Sequence, residues 1–304
     1  MRSLLKGCLV LAVLLSIAIT PRQSSLAATC PTDSLTKGSY ARTLTSGGLE
    51  RSYLLYVPKG YQADQAMPLV ISVHGFTSNA EQQSAFTRWH VLAEKENFLV
   101  VYPNGTGIPS RWNAGQSRFI GASTVDDVQF FRDLIAEVSA NVCVDPARIF
   151  VNGLSNGGGM SNRLACQASD LVAAIGGVAG AYSPVDCEIT RAVPVIAFHG
   201  TTDPVVDFDG TAAQGFPSIK EWAKEWAVRD GCDLTAEAIG GKGDVSGIRY
   251  GGCKDDAEVI LYIIDGGGHT WPGSFPIPIL GKTTQNINAT EVMWEFYKRH
   301  PMPE

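Results

Sequence analysis

Ser155 stands among four glycines in IFVNGLSNGGGM, residues 149–160, between a β-branched run and a helix-compatible segment. Glycine costs roughly 0.5–1 kcal/mol in an ordered element, so this crowd around one hydroxyl needs a physical reason. The spacing Gly-x-Ser-x-Gly supplies one. When a strand turns straight into a helix at that spacing, the serine is lifted to the tip of a strained turn. Gly153 and Gly157 then let strand and helix pass where side chains would collide. The unpaired N–H groups and positive dipole end of the helix face any oxyanion that forms there.

A hydroxyl is a weak nucleophile until a base takes its proton. His90 and His300 fall on helical segments, and His74 and His199 each end an apolar strand before a glycine. His269, in DGGGHTWPG, lies on a turn between the last strand and the last helix. In the chain order serine, acid, histidine, His199 leaves no acid on an intervening strand, so His269 is the expected base. Asp203, in FHGTTDPVV, follows an apolar strand and is the expected orienting acid. Asp207 and Asp209 compete with it, as pocket or solvated residues. Asp126 and Asp127 open a helix and read as N-capping residues.

The oxyanion donors expected from this scheme are the amides of Asn156 and Phe76, with Thr77 as the alternative to Phe76. Trp271 and Trp112, with His74, are candidate walls of a substrate pocket. Plain packing is the competing reading for both tryptophans. None of this chemistry implies a metal or organic cofactor.

The elements that must position these residues read as alternating strands and helices. LERSYLLYVP, MPLVISVHG, FLVVYP, RIFVN, AAIGGVAG, VPVIAFHG and EVILYIID are strand-like. NAEQQSAFTRWHVLAEKEN, DDVQFFRDLIAEVSANV, SNGGGMSNRLAC, SIKEWAKEWAVRDG and NATEVMWEFYKRH have helical spacing. Short continuous apolar strands between helices predict an α/β fold, with a mainly parallel sheet covered on both faces. No repeat or low-complexity linker interrupts it, so a single domain is expected. Two glycine- and proline-punctuated loops of about twenty residues, around residues 103–124 and 266–287, are long enough to be functional rather than slack.

The 304 residues are 45% hydrophobic and 18% charged, an ordinary globular composition. MRSLLKG followed by CLVLAVLLSIAI and then SSLAA reads as a secretory signal peptide, residues 1–27, cut after Ala27. Twelve apolar residues are too few to cross ~30 Å of hydrocarbon, so a membrane anchor is the poorer reading. The catalytic domain expected is 28–304, secreted to the outside or to a periplasm. Losing Arg2, Lys6 and Arg22 takes the net charge from −6 to −9, which disfavours nucleic acid and anionic membrane as partners. A monomer is favoured.

With Cys8 gone, six cysteines remain, and an even number in an exported chain reads as disulfides. Of the fifteen pairings, local closure of Cys166–Cys187 and Cys232–Cys253 is favoured, with Cys30–Cys143 as the third. Zinc is disfavoured because no CxxC pair is present. Asn104-Gly-Thr and Asn288-Ala-Thr are glycosylation sequons, relevant only in a eukaryotic secretory host.

HGFTSN, RWNAG, CVDPARIFVNGLSNGGGM, HGTTDPVVDF and GGGHTWPG together resemble the secreted esterase/polyhydroxybutyrate-depolymerase family, which includes feruloyl esterases of carbohydrate esterase family 1. The resemblance covers nearly the whole mature chain. It implies an α/β-hydrolase fold with Ser155, Asp203 and His269 as the triad of a serine carboxylesterase. It leaves feruloyl, acetyl and hydroxyalkanoate esters open. Polymer-degrading depolymerases often carry a linker and a separate binding domain after the catalytic one, whereas this sequence stops with its last helix. Soluble or plant-wall esters, feruloyl above all, are therefore expected over insoluble polyester. Polyhydroxybutyrate oligomer hydrolysis is the alternative within the same chemistry. A non-catalytic binding protein is the alternative outside it, and the complete Ser/Asp/His set speaks against that.

Overall fold

The computed structural model describes residues 30–303 apart from 117–119 and 122, so the signal-peptide segment 1–27 and Cys8 lie outside the described residues. Ten strands form one sheet: Gly38–Ser46 (β1), Leu49–Val57 (β2), Met67–Val73 (β3), Leu99–Pro103 (β4), Val144–Leu154 (β5), Ala174–Val178 (β6), Val195–Gly200 (β7), Glu237–Ile239 (β8), Val245–Tyr250 (β9) and Val259–Ile264 (β10). Their order across the sheet is β1-β2-β4-β3-β5-β6-β7-β10-β9-β8. The six central strands, from β4 to β10 in that order, run parallel, and the outer pairs on each side are antiparallel. A mainly parallel sheet is what the alternation of apolar strands and helices predicts, and the arrangement fits the α/β-hydrolase fold that the family resemblance implies.

Six helices cover the faces: Ala80–Thr87 (α1), Trp89–Glu96 (α2), Asp127–Asn141 (α3), Asn156–Gln167 (α4), Ile219–Arg229 (α5) and Ala289–Arg299 (α6). Successive strand residues point to opposite faces, and β3 shows the consequence. Leu69, Ile71 and Val73 join one core with Phe130, Leu134, Met160 and Trp226, from α3, α4 and α5. Val70 joins the other, with Phe86, Trp89, Ala93, Met293 and Tyr297 from α1, α2 and α6. Every residue of β3 is buried, which is why its sequence is one apolar run rather than an alternation.

Two departures from the sequence reading have local causes. The segment expected as one helix over 79–97 is two, because Arg88 takes left-handed φ of 55° and ends α1 with its amide on Ser84 O. The edge strands β1 and β8, and β9 beside β8, carry no long apolar run. β1 reads GSYARTLTS, and along it exposed and half-buried residues alternate, so pairing to β2 rather than burial defines it. Disulfides join Cys30 to Cys143, Cys166 to Cys187 and Cys232 to Cys253. The sequon asparagines are both engaged: Asn104 accepts Ala80 N and donates to Ser52 Oγ, and Asn288 caps α6.

Candidate active site

The parallel strands end at one rim, and the loops leaving β3, β5, β7 and β10 all emerge there. Ser155 sits between β5 and α4 with φ 56° and ψ −119°, a region costing roughly 1–3 kcal/mol for a residue with a side chain. The close packing of strand and helix enforces it. A Cβ on Gly153 would lie 2.3 Å from Gly157 C, and one on Gly157 only 2.1 Å from Val73 O. No side chain is accommodated at such distances. Ser155 O accepts the amides of Gly159 and Ala181, and Ser155 N donates to Val178 O, so the turn is tied to both its neighbours. As the first residue of α4, Asn156 has no intrahelical acceptor for its N–H.

His269 lies on the loop after β10, with its own amide on Leu280 O at 2.7 Å. Its Nδ1 donates to Asp203 Oδ2 at 2.8 Å. The other oxygen of that carboxylate accepts Val205 N at 2.8 Å and Val206 N at 2.9 Å. Burial opposes the charge on Asp203. The His269 hydrogen bond and the imidazoles of His269 and His199 outweigh it and hold the carboxyl below its ordinary range. Ser155, Asp203 and His269 are 8%, 7% and 5% exposed. Ser155 Oγ makes no hydrogen bond to the imidazole among the described residues, and such contacts commonly tighten only when substrate arrives.

Asp207 and Asp209, the competing acids, are exposed, and Asp207 accepts the amide of Asp209. Thr77 donates its amide to Ser110 O at 2.9 Å, so it does not serve as an oxyanion donor. Phe76 sits one residue earlier, half-buried in the loop after β3.

The pocket walls read from sequence are corrected. His74, Trp112 and Trp271 are 0%, 1% and 1% exposed and act as internal ties. His74 Nδ1 donates to Gly75 O, and Nε2 accepts Gly105 N. Burial pushes this imidazole down to about 4, so it is neutral and clamps the loops after β3 and β4. Trp112 Nε1 donates to His74 O, and its ring packs on Phe130 and Phe131. Trp271 Nε1 donates to Thr290 Oγ1 on α6. Indole N–H groups satisfied inside the protein mark packing residues.

Asp127 also differs from expectation. Asp126 caps α3 through Gln129 N, but Asp127 is fully buried and accepts both Arg51 and the amide of Asn113. The side chain of Asn156 clamps the same loop, with Oδ1 accepting Trp112 N and Nδ2 donating to Trp112 O. Its place in the sequence gave only its amide a role. His199, set aside as a base, lies behind Asp203. Its Nε2 donates to Val206 O at 2.8 Å and sits 3.5 Å from Asp203 Oδ2. Burial lowers its pKa.

Comparison with known proteins fits this geometry. The profile of the family described as Esterase PHB depolymerase matches residues 51–221, more than half of the chain. Feruloyl esterase B of Piromyces equi is 34% identical over 233 residues, which cover 72% of this chain and 42% of that protein. The chain thus spans under half the length of that relative. A probable feruloyl esterase C of Aspergillus oryzae is 27% identical, covering 82% of this chain and 84% of its own. In fold, an acetyl xylan esterase from Aspergillus awamori superposes with a TM-score of 0.62 at 17% identity, over 86% of this chain and 99% of that one. The chain belongs to the Esterase PHB depolymerase family, on an α/β-hydrolase fold.

Proposed function

We propose that the protein is a secreted serine carboxylesterase whose nucleophile, base and acid are Ser155, His269 and Asp203, acting on feruloyl or related plant-wall esters. The observation that carries the triad is the 2.8 Å bond from His269 Nδ1 to Asp203 Oδ2, on the rim where Ser155 is held in its strained turn. Ser155 Oγ attacks the ester carbonyl carbon as its proton passes to His269 Nε2. Asp203 keeps the proton on Nδ1 and steadies the imidazolium that forms. The oxyanion accepts the amides of Asn156 and Phe76. The alcohol departs with the Nε2 proton. Water, deprotonated by the same nitrogen, then frees the acyl group.

The acyl preference rests on the feruloyl esterases among the relatives. Three disulfides support export, and with it cleavage of a leader over residues 1–27 and a mature chain of 28–304. Hydrolysis of hydroxybutyrate oligomers is the second reading, favoured by the family profile itself.

The test is a fluorophosphonate label together with hydrolysis of methyl ferulate and of hydroxybutyrate oligomers. The wild type is expected to label and to cleave methyl ferulate, and Ser155→Ala to do neither while remaining folded. Labelling that persists in Ser155→Ala removes Ser155 as nucleophile. Turnover confined to the oligomers replaces the feruloyl reading with the depolymerase one.

A further inference from the structure

Apart from the two cores on the sheet faces, a third apolar cluster contains Ile120, Ala181, Val206 and Phe216, with Phe76 and Val205 packed against it. Its members come from the four connections that follow β3, β4, β6 and β7, and three of the six are bonded through their amides to Ser155 or Asp203. The Ala181 amide donates to Ser155 O at 3.0 Å. The amides of Val205 and Val206 hold Asp203 Oδ1. Phe76 follows Gly75, where an added Cβ would stand 3.4 Å from the Cβ of Ser155. Ile120 and Phe216 arrive from two long excursions. The second is pinned by a Thr211–Phe216 bridge, with Thr211 N on Phe216 O at 3.0 Å and Phe216 N on Thr211 O at 3.2 Å. The excursions approach one another, since a Cβ on Gly215 would lie 3.6 Å from Gln116 O.

A satellite cluster of this kind often only anchors long loops. Here its position argues for more. It belongs to neither of the cores that hold helices to the sheet, and it gathers at the oxyanion loop, the nucleophile turn and the acid loop together. A sugar ester has one apolar half, the acyl group, which stays covalently attached to the serine until water releases it. We infer that this cluster is the acyl-binding wall, and that Phe216 and Ile120 set the preference for an apolar acyl group larger than acetyl, an aryl-propenoyl or medium-chain aliphatic one. The inference rests on the esterase reading proposed above. Phe216 and Ile120, at 3% and 6% exposed, are covered about as closely as His269 and Ser155 at 5% and 8%, and unlike Trp112 and Trp271 they have no side-chain N–H held by an interior partner.

The experiment compares kcat/KM on p-nitrophenyl acetate, hexanoate and ferulate, which share one leaving group, so that ratios report the acyl side alone. Removing most of a buried phenylalanine side chain forfeits contact equivalent to roughly 10- to 100-fold. Phe216→Ala is expected to lower the ratio of the preferred larger acyl to acetate by at least about tenfold, with Phe216→Leu and Ile120→Ala lowering it less. Val228→Ala, on the exposed face of α5, is expected to leave it unchanged. Thermal melting checks folding, and Phe216→Leu and Ile120→Ala decide the matter if Phe216→Ala does not fold. A ratio unmoved in the folded variants makes the cluster loop packing only. A ratio that rises makes it a plug. Either result overturns the inference, as does a wild type that cleaves acetate but neither larger ester. A wild type that cleaves none of the three overturns the esterase reading instead.

Discussion

Asp203→Asn probes the site most sharply, because the surroundings of this side chain dictate how an amide would sit. Val205 N and Val206 N both point at Oδ1, at 2.8 and 2.9 Å. The asparagine must turn its oxygen to them, since the reverse rotamer sets an NH2 against two N–H donors and gives up two hydrogen bonds of roughly 1 kcal/mol each. The NH2 then faces His269 Nδ1, now 2.8 Å from a carboxylate oxygen. Two donors cannot share that gap. The imidazole therefore moves its proton to Nε2 and loses the lone pair that would take the proton of Ser155. The analogous change in a serine-protease triad costs about 10⁴ in kcat, or about 5.5 kcal/mol at 1.36 per decade. A loss of that order is expected here, with the fold intact, because every hydrogen bond to the carboxylate except that from His269 survives. Steady-state kcat on the best ester substrate measures it, and a thermal melt controls for unfolding. Asp203→Asn retaining more than a tenth of wild-type kcat would refute the assignment of Asp203 as the orienting acid.

Two further predictions concern stability. Gly157→Ala places a methyl 2.1 Å from Val73 O and 2.6 Å from His74 O, both backbone atoms. It should cost at least about 3 kcal/mol, seen as a much lower urea midpoint or loss of soluble protein; an unchanged midpoint would show that α4 moves freely against β3. Asp230 is wholly buried, with Oδ1 accepting Val193 N and Oδ2 lacking a partner among the described residues. Burial raises its carboxyl from 3.8 to about 7. The folded state therefore holds a proton that the unfolded chain releases, and stability falls as pH rises from about 4 to about 7, by up to about 4 kcal/mol at 1.36 per unit. Asp230→Asn should unfold at higher urea than wild type at pH 8 and show little advantage at pH 4; equal gains at both values would place the effect elsewhere.

The candidate site was legible in the sequence wherever backbone geometry forces residue type. Glycine at 153 and 157 is demanded by contacts near 2 Å. The order of Ser155, Asp203 and His269 follows from which strands end at the rim, and the apolar runs of the central strands follow from burial on both faces. Side-chain surroundings were not legible. Trp112, Trp271 and His74 stand beside chemically marked positions along the chain, yet they point inward, because each N–H finds its acceptor there. Asp127 looked like a second helix cap until Arg51, 76 residues away, closed on it.

The sequence by itself determined the central strands and most of the covering helices, the elbow at Ser155 and the pool of acids and bases. These depend on local backbone requirements and on a periodicity that a few neighbouring residues can express. Only tertiary structure decided which carboxylate meets which imidazole, which aromatic rings are interior, and which apolar side chains from distant loops form the third cluster. Those contacts join residues far apart in the chain, and nothing in the local sequence records the partner that folding brings to each of them.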